Sequence, residues 1–374
     1  MLYPPPHADP AIRKRRELAF GMAQAALESV DAYWCTRDAI ARLQSQGANL
    51  HGCVLYAFGK ASFAMARAAL DEVKVRRGIV HTFEDGRLGP LRLVRSGHPI
   101  PLPDAAARGA ELLTDAESLS ESDVALCLVS GGGSAMLEAP REGLTIETIR
   151  QNTSDAMRSG IDILELNRLR ASWSRVKGGG LARSLAPARI VNVVISDVPT
   201  GDPTVVASGP TFADGMSPLT AIAADNRTAV HAAASYALRQ GVLVHTWPDA
   251  ISDDAGVLGQ RLQNYTLSFV AGGETTVQVT GDGVGGRNQH LIVGALSAFR
   301  QGLTLSLATD GVDGPTDAAG AFVDSAIAKV ATQRDIRDAL SRCDSHTLLR
   351  RIGALLHTGP TDTNVADVVI RLAS

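Results

Sequence analysis

The sequence predicts an α/β protein with largely parallel sheets. Apolar runs of strand length alternate with segments of helical period along the whole chain. That alternation marks βαβ units, in which a helix carries the chain from one parallel strand to the next. Several of the runs also end in glycines and polar residues, as strands do where an open sheet offers its carboxyl edge to a ligand. A length of 374 residues is enough for two domains.

The elements follow in order. "AFGMAQAALESVDAYW" reads as an amphipathic N-terminal helix. "CVLYAFG" is a buried strand and "KASFAMARAALDEV" the helix after it; "RGIVHTF" and "LRLVRSG" are further strands. "PDAAARGAELLTDAESL" is a helix with Pro103 near its start. "DVALCLVS" is a strong strand running into "GGGSAM". Helices are predicted over Thr145 to Gly160 and Trp173 to Ser184, then the strand "ARIVNVVIS" and the polar loop "DVPTGDPT". A long helix is predicted between Pro218 and Arg239, followed by the short strand "VLVHTW" and the helical "SDDAGVLGQRLQNY". The last third runs strand "LSFVAG", strand "TTVQV", a glycine loop, helix "NQHLIVGAL", strand "LTLSLATD", helices, and a final strand near Val368. The predicted division is an N-terminal domain over residues 1–250 and a C-terminal domain over residues 251–374.

Composition narrows the function. A formal net charge of −3 gives no electrostatic reason to expect nucleic acid. No apolar run approaches the roughly 18 residues of a membrane helix, and the basic N-terminus has no apolar core behind it. Cys35, Cys53, Cys127 and Cys343 form no C-x-x-C pair. A reduced cytoplasmic protein without structural zinc is expected.

The strand-end loops carry the chemistry. Lysines are scarce, yet Lys60 and Lys177 both adjoin glycines, in "FGKAS" and "VKGGG". A lysine at a strand-to-helix junction can neutralise a transferring phosphoryl group. In "VSGGGSAM", Gly131, Gly132 and Gly133 let backbone N–H groups approach an anion, with the Ser134 hydroxyl beside them. Asp197 and Asp202 lie on a proline-braced loop and suit either Mg2+ or a substrate hydroxyl. "GGETT" and "ATDGVDGPTDAAGAFVD" add Glu274, Asp310, Asp313 and Asp317. His98, ahead of a proline-rich turn, reads as structural. "GDGVGGRNQ" fits G-x-G-x-x-G through Gly281, Gly283 and Gly286, which raises a nicotinamide-dependent reductase as an alternative. Arg287 follows the last glycine directly, where a guanidinium fork could meet a phosphoryl group.

Together "GKASFAMA", "GHPIPLPD", "VSGGGSAM", "NRLRASWSRVKGGGLA", "ISDVPTGDPTVVASGPT", "GGETTVQVTGDGVGGRNQ", "LATDGVDGPTDAAGAFVD" and "HTGPTDTN" resemble the glycerate 2-kinases that carry a C-terminal MOFRL domain, some of which have been labelled hydroxypyruvate reductases. The resemblance runs from about Leu18 to Leu372. It implies a Rossmann-like α/β/α N-terminal domain, a smaller C-terminal α/β domain and an active site in the cleft between them. It implies transfer of the ATP γ-phosphoryl group to the 2-hydroxyl of D-glycerate with Mg2+, and hydroxypyruvate reduction with NAD(P)H or phosphorylation of a related hydroxy acid are the alternatives. By motif match Lys60 is the family's catalytic lysine and Arg287 its active-site arginine, with Asp197 assigned to the metal or the substrate hydroxyl. Ser130, Gly131, Gly132, Gly133, Ser134, Lys177, Glu274, Asn288, Asp310 and Asp317 are expected to bind phosphate, nucleotide or substrate, and Asp202 to join Asp197 at the metal. A homodimer is left open. The chain departs from the family at His290, usually glutamate, and at Gly180, usually larger. Arg287→Ala is expected to lower turnover far more than stability.

Overall fold

A computed structural model describes residues 2–158, 163–198 and 201–373. Ser159 and Gly160 of one expected helix, and Pro199 and Thr200 of the expected polar loop, lie outside the described residues. The chain forms two compact units: Ala32–Ala224 is one, and Met1–Asp31 with Asp225–Ser374 is the other.

The chain begins with α1 (Pro10–Ser29), a piece of the discontinuous unit. The continuous unit then runs α2 (Ala32–Ser45), β1 (Cys53–Phe58), α3 (Ser62–Glu72), β2 (Val75–Thr82), β3 (Gly86–Leu88), β4 (Leu91–Arg95), α4 (Ala105–Glu117), β5 (Val124–Ser130), α5 (Gly133–Met136), α6 (Ile146–Arg158), α7 (Ile163–Trp173), α8 (Gly180–Leu185), β6 (Arg189–Ile195), a 3-10 turn at Pro203–Ser208, and β7 (Leu219–Ala224). Its seven strands lie in the order β3-β4-β2-β1-β5-β6-β7. All neighbours are parallel except the β3–β4 hairpin. From β1 the chain builds outward through β2 and β4, then returns to β5 and builds the other way. β1 and β5 therefore flank the switch point where ligands bind in such sheets.

Every residue of β1 is buried because the sheet is covered on both faces. Val54, Tyr56 and Phe58 share one face with Cys127 and Val129, under Leu112 and Leu113 of α4 and Leu181 and Leu185 of α8. Each such leucine, fully buried, contributes about 1.5–3 kcal/mol. α3 packs against β1 and β2, with α2 against α3 and β7.

The discontinuous unit adds α9 (Asn226–Arg239), β8 (His245–Thr246), α10 (Ala255–Leu262), β9 (Phe269–Gly273), α11 (Arg287–Ser297), β10 (Leu303–Ala308), β11 (Gly320–Asp324), α12 (Ser325–Ala328), α13 (Gln333–Arg342), α14 (Ser345–Arg351), β12 (Leu355–Leu356) and β13 (Asp367–Leu372). The sheet order is β12-β11-β10-β13-β9-β8. Its pairs are antiparallel apart from β8–β9, so the parallel rule holds for the first sheet and not for this one.

α1 belongs here because its apolar side packs on α9 and on this sheet. Phe20 meets Phe322 edge-on at 5.3 Å. Gly21 leaves room for Tyr236, since a Cβ there would lie 2.3 Å from its hydroxyl. Arg16 forms a buried ion pair with Asp324, Nε to Oδ2 2.7 Å. The compact units thus divide the chain at residues 31/32 and 224/225, whereas the sequence reading divides it at 250.

Several predicted elements differ, among them the N-terminal helix "AFGMAQAALESVDAYW", which ends at Ser29 and resumes as α2 at Ala32. The long helix from Pro218 starts with a strand, β7, because "LTAIAA" completes the parallel sheet as an edge strand. "TTVQV" is no strand: Thr276 makes one bridge to Asp254, and Val279 is exposed. The helix expected over Trp173 to Ser184 is broken at 174–179, where Gly178 and Gly179 take φ of +54° and +77°.

Candidate active site

In the continuous unit, the loop after β1 and the loop after β5 meet at the switch point. The Lys60 backbone N–H donates to the Gly131 carbonyl at 2.9 Å, and the Ala61 N–H to the Ser130 hydroxyl at 3.1 Å. Gly59 has φ +115°, and a Cβ there would stand 2.3 Å from Ser130 Oγ, so only glycine lets the loops close. Gly132, at φ +79°, is flanked by two side chains: a Cβ on it would lie 2.9 Å from His98 Cδ2 and 3.0 Å from Lys60 Cγ. The fold thus brings Lys60, Gly132 and His98 to one place, although His98 reads from sequence as structural. Ser134 Oγ sits 3.0 Å from Ser208 Oγ. Ala207 and Ser208 hold φ of +54° and +65°, a strained pair of non-glycine residues beside the glycine loop. Asp197, half-buried, follows β6, the next strand over. A lysine, glycine N–H groups, two hydroxyls and a carboxylate are a kit for holding and charge-balancing phosphate.

In the discontinuous unit, Arg287 is the first residue of α11. Its Nε and Nη2 donate side-on to Asp367, at 2.5 Å and 2.9 Å, and Nη1 donates to Glu274 at 2.6 Å. Asp367 opens β13, in register with Ala308 of β10 and Gly273 of β9; Glu274 and Asp310 follow those two strands. Asp313 covers the start of α11. Its two oxygens accept the backbone N–H groups of Asn288 at 3.0 Å and Gln289 at 2.8 Å. Burial pushes the Asp313 carboxyl up to about 6, with the nearby Asp367 charge adding to it and the Gln289 and Asn288 donors opposing. Burial also raises Asp367, against the pull of Arg287. Burial works against the Arg287 charge, and the Asp367 and Glu274 carboxylates outweigh it and hold the guanidinium in its charged form.

Two family models match the chain. The "Domain of unknown function (DUF4147)" family model matches residues 18–241, and the "MOFRL family" model residues 267–367. The chain is 32% identical to the D-glycerate 2-kinase of Thermotoga maritima, covering 96% of this chain and 98% of that protein. It is 31% identical to the glycerate 2-kinase of Pyrococcus horikoshii, covering 96% and 97%. This chain belongs to the MOFRL-class glycerate 2-kinase family. A crystal structure of a glycerate kinase from Thermotoga maritima superposes with a TM-score of 0.86, at 31% identity, over 96% of this chain and 99% of that one. That likeness bears out the family's α/β fold expected from sequence.

Within this family frame, several expected binding residues have other partners. Ser130 is fully buried and braces the Lys60 loop. Lys177 is buried in an ion pair with Glu138, and burial lowers its pKa while Glu138 opposes. The glycines after it approach protein backbone: Gly178 and Gly179 N–H donate to Ser208 and Gly209 carbonyls at 2.9 and 2.8 Å. Gly180, one of the departures, is required because a Cβ would lie 1.9 Å from the Arg175 carbonyl. Asp202, expected at a metal, caps the 3-10 turn by accepting the Thr204 N–H at 2.8 Å. Asn288 is buried between Asp313 and Ser306. Asp317 is exposed and reaches His346, Nε2 to Oδ1 3.3 Å. Among the described residues no three His, Cys, Asp or Glu side chains are grouped to hold a metal.

The dinucleotide fingerprint also resolves. A Cβ on Gly281 would lie 2.5 Å from Arg342 Cα, on Gly283 2.4 Å from Asp344 Cβ, and on Gly286 2.2 Å from Asp313 Cγ. These glycines admit the chain's own backbone and the Asp313 carboxylate. The helix N-terminus where a pyrophosphate would sit is filled by that carboxylate. Sequence reasoning missed Ser208, whose positive φ has no signature in "VASGPT", and Asp367, which pairs with Arg287 across 80 residues.

Proposed function

We propose that the chain transfers the γ-phosphoryl group of ATP to the 2-hydroxyl of D-glycerate, giving 2-phosphoglycerate and ADP. One observation carries this reading most: Lys60 stands against Gly132 at the switch point, in the loop that also carries Ser134 of the Ser134–Ser208 hydroxyl pair. Lys60 supplies positive charge to the transferring group, and the Gly131–Ser134 loop seats an anion, either ATP phosphate or the glycerate carboxylate. Arg287 supplies a second charge. Asp197 orients the substrate hydroxyl or serves as the protein's ligand to Mg2+. A half-buried carboxylate at a strand end fits that ion, which takes one or two carboxylates and draws its other ligands from phosphate and water. Bound Mg2+ would neutralise phosphate charge. No helix among the described residues is long and apolar enough to cross a membrane. A cytoplasmic location belongs to the same proposal, as does a homodimer.

The test is ADP release with ATP, Mg2+ and D-glycerate, with the product identified by phosphorus NMR. A doublet from a secondary phosphate ester at C2 is expected. NADH oxidation with hydroxypyruvate and no ADP release would replace the kinase with the reductase.

A further inference from the structure

Arg287 is gripped unequally. Its side chain keeps 32% of its surface exposed, while its partner Asp367 keeps 2%. Another bidentate pair in this unit, Arg16 with Asp324, is closed on both sides at 5% and 2%. A pair that only stabilises the interior has no reason to leave its guanidinium open. Asp367 is also fixed from behind. Its backbone lies between Ala308 and Gly273 in the ladder, and Asn226 Nδ2 donates to its carbonyl at 2.9 Å. Its carboxylate therefore meets Nε and Nη2 from a set position. Glu274, with 46% of its side chain exposed, takes one N–H of Nη1. Three of the guanidinium's N–H donors are used this way, and one on each Nη remains for another acceptor.

We propose that Asp367 is a positioning residue, holding Arg287 as an oriented fork whose remaining N–H groups meet the phosphate. This rests on the assignment of Arg287 to phosphoryl transfer. A fork fixed by a buried partner needs no reorganisation when charge develops, and a misplacement of about 1 Å costs roughly 100-fold in rate.

A kinetic double-mutant cycle tests it, using Asp367→Asn, Arg287→Lys and the double variant, with kcat and KM for ATP measured separately and urea midpoints alongside. Asp367→Asn is expected to lower kcat about 10- to 100-fold, with KM for ATP shifting less than about threefold. The double variant is expected to be no slower than Arg287→Lys alone, because Asp367 acts through the fork. Losses that multiply, or a kcat within about twofold of wild type for Asp367→Asn, overturn the proposal. Should Asp367→Asn fail to fold, the Arg287 Nε–H resonance of the wild-type chain decides. Protection from exchange supports the clamp, and rapid exchange overturns it. Wild-type protein with no glycerate-dependent ADP release counts against the reaction itself. Normal wild-type turnover with multiplying losses counts against Asp367 alone.

Discussion

At the scale of single residues, charge and its partners decide what each group can do. Lys60 is half-buried, so Lys60→Met is expected to cut turnover about 100- to 1,000-fold while leaving the urea midpoint nearly unchanged. Arg287 is different. The sequence suggests that Arg287→Ala spares stability, but it would strand the buried Asp367 carboxylate. A loss of about 3–5 kcal/mol is now expected, measurable by urea unfolding, and Arg287→Lys is the better probe of function. Asp313 gives a pH signature. Its folded pKa of about 6 lies above the ordinary 3.8, so its contribution to stability is full below 3.8 and is lost as pH rises through 6. The stability of wild type relative to Asp313→Asn is expected to fall across that window, and a flat difference would refute the shift. The G-x-G-x-x-G spacing raised a dinucleotide at the helix start, where the backbone N–H groups of Asn288 and Gln289 instead meet a carboxylate as the anion. It could not signal that the anion is Asp313, a carboxylate of the chain itself, because a spacing motif carries no information about what fills the seat.

Among the elements, those buried on both faces were the most legible. β1, β5 and β6 are largely apolar runs because the sheet is covered twice, and the glycines that follow β1 and β5 mark the candidate site. β7 was misread because an edge strand of alternating alanines, half-exposed, shows neither a clear period of two nor of 3.6. The sequence set glycines beside Lys177 without showing what they meet. Gly178 and Gly179 clasp the Ser208–Gly209 backbone, so α8 sets the position of the Ser134–Ser208 pair. Gly179→Ala is expected to cost about 2–4 kcal/mol, since φ is +77° and the new Cβ would lie 2.6 Å from Ala213 Cα. It should also lower turnover in whatever protein folds. Unchanged unfolding and turnover would show that this clasp does not hold the loop.

For the whole molecule, the two-unit division was the least legible feature. Nothing in composition separates α1 from α2, yet one joins a unit whose remainder begins at Asp225. The reason lies in pairings that no local window reveals, such as Arg16 with Asp324, 308 residues apart. Deleting residues 2–31 is therefore expected to raise hydrogen exchange throughout β9, β10, β11 and β13 while leaving β1, β5 and β6 protected. Uniform loosening of both sheets, or none, would contradict the division.

The same discontinuity bears on how the protein is made. A ribosome completes α1 first, then roughly 190 residues of the other unit, before the partners of α1 emerge. At cellular translation rates that is about 10–40 s during which Phe20, Met22 and their apolar neighbours have nothing to cover them. The nascent chain carries its first helix as an unmatched sticky end. Its yield in the cell should then respond to chaperone supply and to elongation speed, through a window that ends only when the last strands are threaded out.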